Sequence, residues 1–279
     1  MFLQRLLLVE KSDAAEDREG QNLMISTKTM GGVDQALKVA VVDGIFTFMW
    51  NVVSCYLGVA VFVIGEYMDY KDDRTPIMYA LILVVSLVFM EASFSVGGAT
   101  WNPTGPLAFW LAGASEDSIL ALLLRLPAMA LGALGGIFIS TSLMPSTYRP
   151  MMGSGPQLKA DLFTGALTEG AMSFALNLIV LYVVIRLTSN RVLQTLIILV
   201  SVLTLIQQGP KSTGPVMNPT DAFGWACLNR THSPAEHLVV YWLSPFLGTI
   251  AAALLYRRIF GSPPAREAAA PSKEKQKIS

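Results

Sequence analysis

The sequence predicts an all-α membrane protein in which six transmembrane helices and two re-entrant half-helices form an inverted repeat. Composition is the first observation behind this prediction: 53% of the residues are hydrophobic, 14% are charged, and the mean hydropathy is +0.51. A soluble domain carries about 25% charged residues, so this chain is too apolar to be one. The second observation is a set of six apolar runs, and the third is the tripeptide Asn-Pro-Thr, which occurs twice.

Six apolar runs carry few or no charges and are the candidate membrane spans. We expect each to be helical, because a lipid-exposed segment must satisfy its own backbone hydrogen bonds. Six helices, two half-helices and the tails account for all 279 residues, which leaves no room for a separate soluble domain. The runs are Val39–Ile64, Ile77–Met90, Ile119–Met144, Leu162–Ile185, Val192–Ile206 and Leu238–Tyr256.

The two tripeptides predict a pair of half-helices. Asn is a preferred helix cap and Pro a preferred first helical residue, so each copy is typical of a helix N-terminus. The apolar runs that follow, Leu107–Ala112 and Ala222–Leu228, are about half as long as the roughly 20 residues that a span needs. The motif residues are Asn102, Pro103, Thr104, Asn218, Pro219 and Thr220.

The repeat extends beyond the tripeptides. Residues 43–48 (DGIFTF) and 169–174 (EGAMSF) share the pattern acid, Gly, two apolar residues, hydroxyl, Phe. Two halves of three spans each, at about residues 34–144 and 160–260, must insert in opposite orientations, and a site is then expected where they meet near the midplane. Two half-helix N-termini pointing at one spot repel cations, while the Asn amides offer hydrogen bonds to a neutral molecule.

The tails and the charge distribution predict the orientation. We expect residues 1–33 to be a disordered cytosolic tail, 34–260 the membrane domain and 261–279 a second cytosolic tail. Thirteen of the 20 Lys and Arg residues lie before the first run, after the sixth run or in the loop between the fourth and fifth runs. The positive-inside rule therefore places both termini in the cytosol.

Several functional classes have no support in the sequence. A formal net charge of zero and the absence of a basic stripe argue against a nucleic-acid partner. The only Cys and His residues, Cys55, Cys227, His232 and His237, do not form a metal-ligand set, so no metal or other cofactor is predicted. We expect both thiols to be buried, and the chain not to be an enzyme.

In these features the sequence resembles the aquaporin (major intrinsic protein) family over roughly Val33 to Phe260. Residues 213–226 (TGPVMNPTDAFGWA) and 241–246 (YWLSPF) are similar to the plant small basic intrinsic proteins, whose first motif also ends in Thr. The resemblance implies a passive channel for water or small uncharged solutes in the lipid bilayer, a homotetramer, and residence in the endoplasmic reticulum. Lys275 and Lys277 resemble a dilysine retrieval signal read by a coat protein.

The same resemblance implies a pore constriction at Ile82, Ile206, Pro215 and Asp221. Aquaporins usually carry Arg at the position of Asp221, and this subgroup usually has Ala in place of Thr220. Two interpretations of Asp221 stay open: a carboxylate in the constriction, or one that turns aside and caps a backbone N–H in the first turn of its helix.

Asp43 and Glu169 are acids inside spans, where ionisable residues are costly and indicate function. A proton relay is one interpretation. By the resemblance they are buried structural acids that accept backbone donors from the half-helix loops.

Two alternative functions follow from the same features. Inverted repeats with broken helices also build secondary transporters, although those place ionisable or coordinating groups at the midplane. A non-conducting structural protein of the endoplasmic reticulum is the other alternative.

Asn229-Arg230-Thr231 is a glycosylation sequon on the side opposite the tails, close to the membrane.

Overall fold

The computed structural model describes residues 32–208, 212–230 and 233–261, together with a helical backbone over residues 2–31. Helix α1 is Phe2–Tyr67, and its membrane-spanning part is Gly32–Tyr67. The side chains of residues 2–31 lie outside the described part, so the predicted disordered tail stays a prediction. The C-terminal tail, with Lys275 and Lys277, also lies outside it.

Within the described residues, six segments are long and apolar enough to cross a membrane, and all six predicted runs coincide with them. Every regular element in the described residues is helical, so the predicted fold class is confirmed. After α1 the helices are α2 (Thr75–Ser95), α3 (Thr104–Leu111), α4 (Ile119–Leu143), α5 (Leu162–Tyr182), α6 (Arg191–Gln208), α7 (Pro219–Asn229), α8 (Pro234–Leu238) and α9 (Ser244–Phe260). A π-helical turn, Val183–Leu187, extends α5, and a second, Val239–Leu243, joins α8 to α9.

Helix α1 packs closely on α4, and α5 packs in the same way on α9. A methyl group at Gly132 would lie 2.2 Å from the carbonyl oxygen of Gly44, and one at Gly248 would lie 2.1 Å from that of Gly170. Gly44 follows Asp43 and Gly170 follows Glu169, so the two glycine contacts occupy equivalent positions in the two halves. The sequence repeat is therefore also a repeat of helix packing.

The two half-helices interlock the halves of the molecule. Helix α3 belongs to the first half and packs on α5 and α9 of the second, whereas α7 belongs to the second half and packs on α4 of the first. Both are short, at 8 and 11 residues, as their apolar runs predict. Neither half therefore has a complete core without the half-helix of the other.

Arginines at the helix ends identify one face of the bundle, here called the terminal face. Arg257 donates to the carbonyl oxygen of Leu111 at 3.3 Å, and Arg186 donates to that of Phe260 at 2.9 Å. The ends of α3, the α5 extension and α9 therefore lie together. The opposite face, here called the outer face, carries α8 and a short 3₁₀ turn at Arg149–Met151.

The prediction of a buried thiol is confirmed for Cys55 and wrong for Cys227. Cys55 is 1% exposed in the middle of α1, whereas Cys227 is exposed. Cys227 lies in the last turns of α7, where the half-helix returns to the outer face and leaves one of its sides uncovered.

Candidate pore at the meeting point of the two half-helices

The two motif asparagines bind each other's loops. The amide nitrogen of Asn102 donates to the carbonyl oxygen of Met217 at 2.9 Å, and that of Asn218 donates to the carbonyl oxygen of Trp101 at 2.8 Å. These reciprocal bonds join the N-termini of α3 and α7 inside the bundle. An amide has two N–H groups, so each Asn keeps one for another acceptor.

The threonine of each motif fixes the orientation of its asparagine. The Oδ1 atom of Asn102 accepts from the backbone N–H and the hydroxyl of Thr104, at 3.0 and 2.9 Å. Asn218 repeats the arrangement with Thr220, at 3.2 and 2.9 Å. Because Oδ1 is held by two donors on the helix side, the NH₂ group must point towards the opposite half.

Glu169 supports the loop before α7. It is fully buried and accepts from the hydroxyl of Thr213 at 2.8 Å and from the backbone N–H groups of Val216 and Met217, at 3.2 and 3.0 Å. Met217 has a φ of 50°, a left-handed conformation that non-glycine residues rarely adopt. Its N–H therefore binds Glu169 while its carbonyl oxygen accepts from Asn102.

Asp43 occupies the equivalent place in the first half, with one added partner. Its Oδ1 accepts from the backbone N–H of Thr100 at 2.9 Å. Its Oδ2 lies 3.1 Å from Nε of Arg125, and Arg125 also pairs with Asp117 at 3.1 Å. Arg125 is 8% exposed, so this is a buried ion pair. Arg125 is the only charged residue within the apolar run Ile119–Met144, and this isolation is the signal in the sequence that a buried partner exists.

An aromatic cluster holds the loop before α3. The rings of Trp50 and Trp101 stack at 5.2 Å, and the ring of Phe89 meets both edge-on, at 5.4 and 5.7 Å. Trp101 thereby presents its carbonyl oxygen to Asn218 from a fixed position.

Asp221 lies in the first turn of α7 and turns towards α1. Its Oδ1 accepts from the amide of Asn51 at 2.9 Å, and that amide also donates to the carbonyl oxygen of Thr47 at 2.9 Å. The partner is thus a side chain, not the backbone N–H that one of the two interpretations expected. Asn51 was not singled out in the sequence, although it lies two helical turns after Asp43.

The other three expected constriction residues lie on separate segments. Pro215 is buried in the loop before α7, close in sequence to Asn218. Ile82 is half-buried on α2, and Ile206 is 40% exposed near the end of α6. The constriction that these residues form with Asp221 stays a prediction.

A cavity of about 300 Å³ leads from Asn102 towards the terminal face, between α2, α5 and α6. None of the side chains that line it in the described part of the chain is charged. Its polar lining includes Ser93, Thr100, Asn102, Thr104, Asn177, Gln194 and Thr195. We call it the terminal vestibule.

A second cavity, of about 470 Å³, lies near the outer face beside Trp225 and Asn229. The amide of Asn229 donates to the carbonyl oxygen of Ser154 at 2.8 Å. Thr231, the third residue of the sequon, lies outside the described residues.

Comparison with known proteins decides the family. The family model described as Major intrinsic protein matches residues 34–256. The chain belongs to the major intrinsic protein family. The curated major intrinsic proteins it resembles include Aquaporin SIP1-2 of Zea mays, 39% identical over 236 residues that cover 82% of this chain and 95% of that one. Aquaporin SIP1-1 of Arabidopsis thaliana is 39% identical over 245 residues, covering 86% and 98%. The similarity to the plant small basic intrinsic proteins is thereby confirmed.

A solved structure supports the fold of this major intrinsic protein. The X-ray structure of the aquaglyceroporin from Plasmodium falciparum aligns with a TM-score of 0.60 over 80% of this chain and 96% of that chain, at 16% sequence identity. At this identity the comparison shows the shared six-span fold alone. The family consists of channels, and the chain is accordingly a multi-pass membrane protein of the channel type.

Proposed function

We propose that the chain is a passive channel for water or small uncharged solutes, with its narrowest hydrogen-bonding point at the two motif asparagines. The reciprocal bonds of Asn102 to Met217 and of Asn218 to Trp101 carry this proposal. They aim both carboxamides at the meeting point of the half-helices. The free N–H of each Asn can then donate a hydrogen bond to the oxygen of a passing solute, and this bond breaks again as the solute moves on.

Ion exclusion in this proposal comes from the half-helices. Each N-terminus carries a partial positive charge of about half an elementary charge, and the two dipoles face each other from opposite directions. A cation at the meeting point is repelled by both. A water molecule enters this point at little cost in free energy, because the asparagine amides replace some of the hydrogen bonds that it made in bulk water.

The two buried acids act in this proposal as scaffolding. Asp43 and Glu169 accept backbone N–H groups of the loops that deliver Asn102 and Asn218. Both carboxylates are 0% exposed and accept these donors, and the second oxygen of Asp43 is paired with Arg125, which supports a structural role over a proton relay. Ile82, Ile206, Pro215 and Asp221 are proposed to form a less polar constriction on the outer side.

The cellular setting is also a proposal. We place the channel in the endoplasmic reticulum membrane with both termini in the cytosol, and we propose a homotetramer and coat recognition of Lys275 and Lys277. Arg186 and Arg257 at the terminal face fit the positive-inside rule in this orientation. Antibody access to a C-terminal epitope, in cells whose plasma membrane alone has been permeabilised, tests the cytosolic position of the C-terminus. An epitope that stays protected from the antibody would contradict this orientation.

Stopped-flow light scattering on proteoliposomes tests the channel. We expect water efflux faster than from empty liposomes, and loss of the excess in the Asn102→Asp/Asn218→Asp variant, because a carboxylate cannot donate to the opposite carbonyl. Asn190→Asp is the matched control, because Asn190 caps α6 on the terminal face and Asp retains the cap. Equal loss in the control would contradict a role of the paired motifs.

The alternatives give different results in the same experiment. Flux that saturates with solute concentration and needs an ion gradient would identify a secondary transporter. Folded protein without any flux would favour a structural role.

A further inference from the structure

The cavity of about 470 Å³ beside Trp225 and Asn229, here called the outer cavity, is separate from the residues assigned to the pore. None of the motif residues or the expected constriction residues lines it. Its walls are the end of α4, the 3₁₀ turn at Arg149–Met151, the segment that follows this turn, and the end of α7. Sites for small molecules have volumes of roughly 300–1,000 Å³, so the outer cavity is large enough to hold a ligand of its own.

Three side chains around the outer cavity offer hydrogen-bond donors. Arg149 donates from Nε to the carbonyl oxygen of Met144 at 3.3 Å, and its two Nη groups have no partner among the described residues. One N–H of the Asn229 amide donates to the carbonyl oxygen of Ser154 at 2.8 Å, which leaves the other N–H available. The hydroxyl of Ser154 accepts from Gln157 at 3.4 Å and donates to no residue that the structure describes.

The charges around the outer cavity have one sign. No acidic side chain lines it in the described part of the chain. Residues 142–160, which connect α4 to α5 across the outer face, include Arg149 and Lys159 and no acid, and Arg230 follows Asn229 at the end of α7. The planar guanidinium group binds a phosphate or a carboxylate through two parallel hydrogen bonds. The lining therefore selects an anion of one of these two kinds.

Close contacts hold the walls of the outer cavity in place. A methyl group at Gly58 of α1 would lie 2.1 Å from the carbonyl oxygen of Met151, so the 3₁₀ turn that carries Arg149 is seated directly on that helix. A methyl group at Gly155 would lie 2.5 Å from Cβ of Trp225, and the φ of Gly155 is 75°, a value that favours glycine. Because these contacts exist without a ligand, little ordering is needed when one binds.

The outer cavity lies at the level where the membrane spans end. Thr141 on its wall belongs to the last turn of α4, which ends at Leu143. Phe138 lies one turn before Thr141, and Leu131 lies two turns before Phe138; they are 57% and 68% exposed. Trp225 is a residue type that is enriched at the boundary between lipid and water. The acyl chains of a lipid can therefore lie along α4 while its headgroup enters the cavity.

We propose that the outer cavity binds the phosphate of an anionic glycerophospholipid, of the phosphatidic acid type, from the membrane leaflet at the outer face. The Nη groups of Arg149 bind two phosphate oxygens, and Ser154 and Asn229 donate to the remaining ones. The acyl chains lie along the apolar face of α4 at Leu131 and Phe138. A choline or ethanolamine headgroup binds less well, because no carboxylate lines the cavity to pair with its ammonium group.

Lipid titrations of the full-length chain in detergent, followed by native mass spectrometry, test the site. We expect the wild-type chain to bind dioleoyl phosphatidic acid more tightly than dioleoyl phosphatidylcholine. Arg149→Gln should raise the dissociation constant for phosphatidic acid about tenfold, the effect of losing a hydrogen bond between charged groups. Lys71→Gln is the matched control, because it removes a positive charge that is paired with Asp69 on the same face. Its dissociation constant should equal that of the wild type.

Gly153→Leu tests the site by volume and keeps the arginine. Gly153 lines the outer cavity with nothing within 4 Å of an added methyl group, so we expect normal folding and weaker binding of phosphatidic acid. Wild-type affinity for phosphatidic acid in this variant would overturn the proposed location.

Inorganic phosphate distinguishes a lipid from a soluble anion. It should not displace phosphatidic acid from the wild-type chain, because it has no acyl chains to lie on α4. Displacement would identify a soluble anion as the ligand and overturn the assignment to a lipid. Equal affinity for phosphatidylcholine, or equal dissociation constants in Arg149→Gln and Lys71→Gln, would overturn the role of the arginine.

Discussion

At the scale of single residues, the motif threonines and the buried acids decide where the asparagines point. Thr104 and Thr220 each donate a hydroxyl to the Asn of their own motif, a bond that Ala in the same place could not make. The acids hold the loops on the other side of the same asparagines. Asp43 carries the further contact with Arg125, whereas Glu169 is satisfied by three hydrogen-bond donors.

The ion pair of Asp43 and Arg125 gives a prediction at this scale. Arg125→Met leaves a buried carboxylate without its cation, and removal of one partner of such a pair costs about 3 kcal/mol. We expect a lowered thermal unfolding midpoint in detergent. The double variant Asp43→Asn/Arg125→Met should regain much of the loss, because Asn can still accept from Thr100. A double variant less stable than Arg125→Met would contradict the pairing.

At the scale of elements, the helix pairs α1–α4 and α5–α9 depend on glycines. Gly132→Ala or Gly248→Ala puts a methyl group within 2.2 Å of a backbone carbonyl oxygen, and overpacking of this kind costs about 1–3 kcal/mol. Gly135→Ala is the matched control, since its methyl group would meet the Phe48 ring at an ordinary 3.4 Å. The thermal unfolding midpoints of Gly132→Ala and Gly248→Ala should be lower than that of Gly135→Ala. Equal midpoints in all three variants would contradict the close packing.

The start of α5 gives a prediction about pH. Asp161 caps this helix, and hydrogen bonds from the hydroxyl and backbone N–H of Thr164 hold the pKa of Asp161 below its usual 3.8. The stabilisation from a lowered pKa is present above the unfolded-state value and is lost as the pH falls through the folded-state value. The thermal unfolding midpoint of the wild-type protein should therefore fall when the pH is lowered below about 4. The midpoint of Asp161→Asn should fall less over the same pH range. An equal acid dependence in that variant would contradict the cap.

At the scale of the whole molecule, the repeat was readable from the sequence and its departures from symmetry were not. Six apolar runs, two capped half-helices and the acid-Gly pattern depend on local composition, and the structure confirms the fold that they predict. The bond between Asn51 and Asp221 joins residues 170 positions apart, and the pairing of Asp43 with Arg125 likewise requires α1 and α4 to be packed. The exposure of Cys227 was missed because it depends on how much of a short helix its neighbours cover.

The central claim is that two half-helices from interlocked halves make a path for neutral molecules that ions cannot follow. Proteoliposomes measured for water efflux and for K⁺ and proton leak test it most directly. We predict water permeability well above that of empty liposomes, with K⁺ and proton fluxes equal to theirs. Water flux accompanied by a K⁺ or proton leak that scales with the amount of protein would contradict the claim.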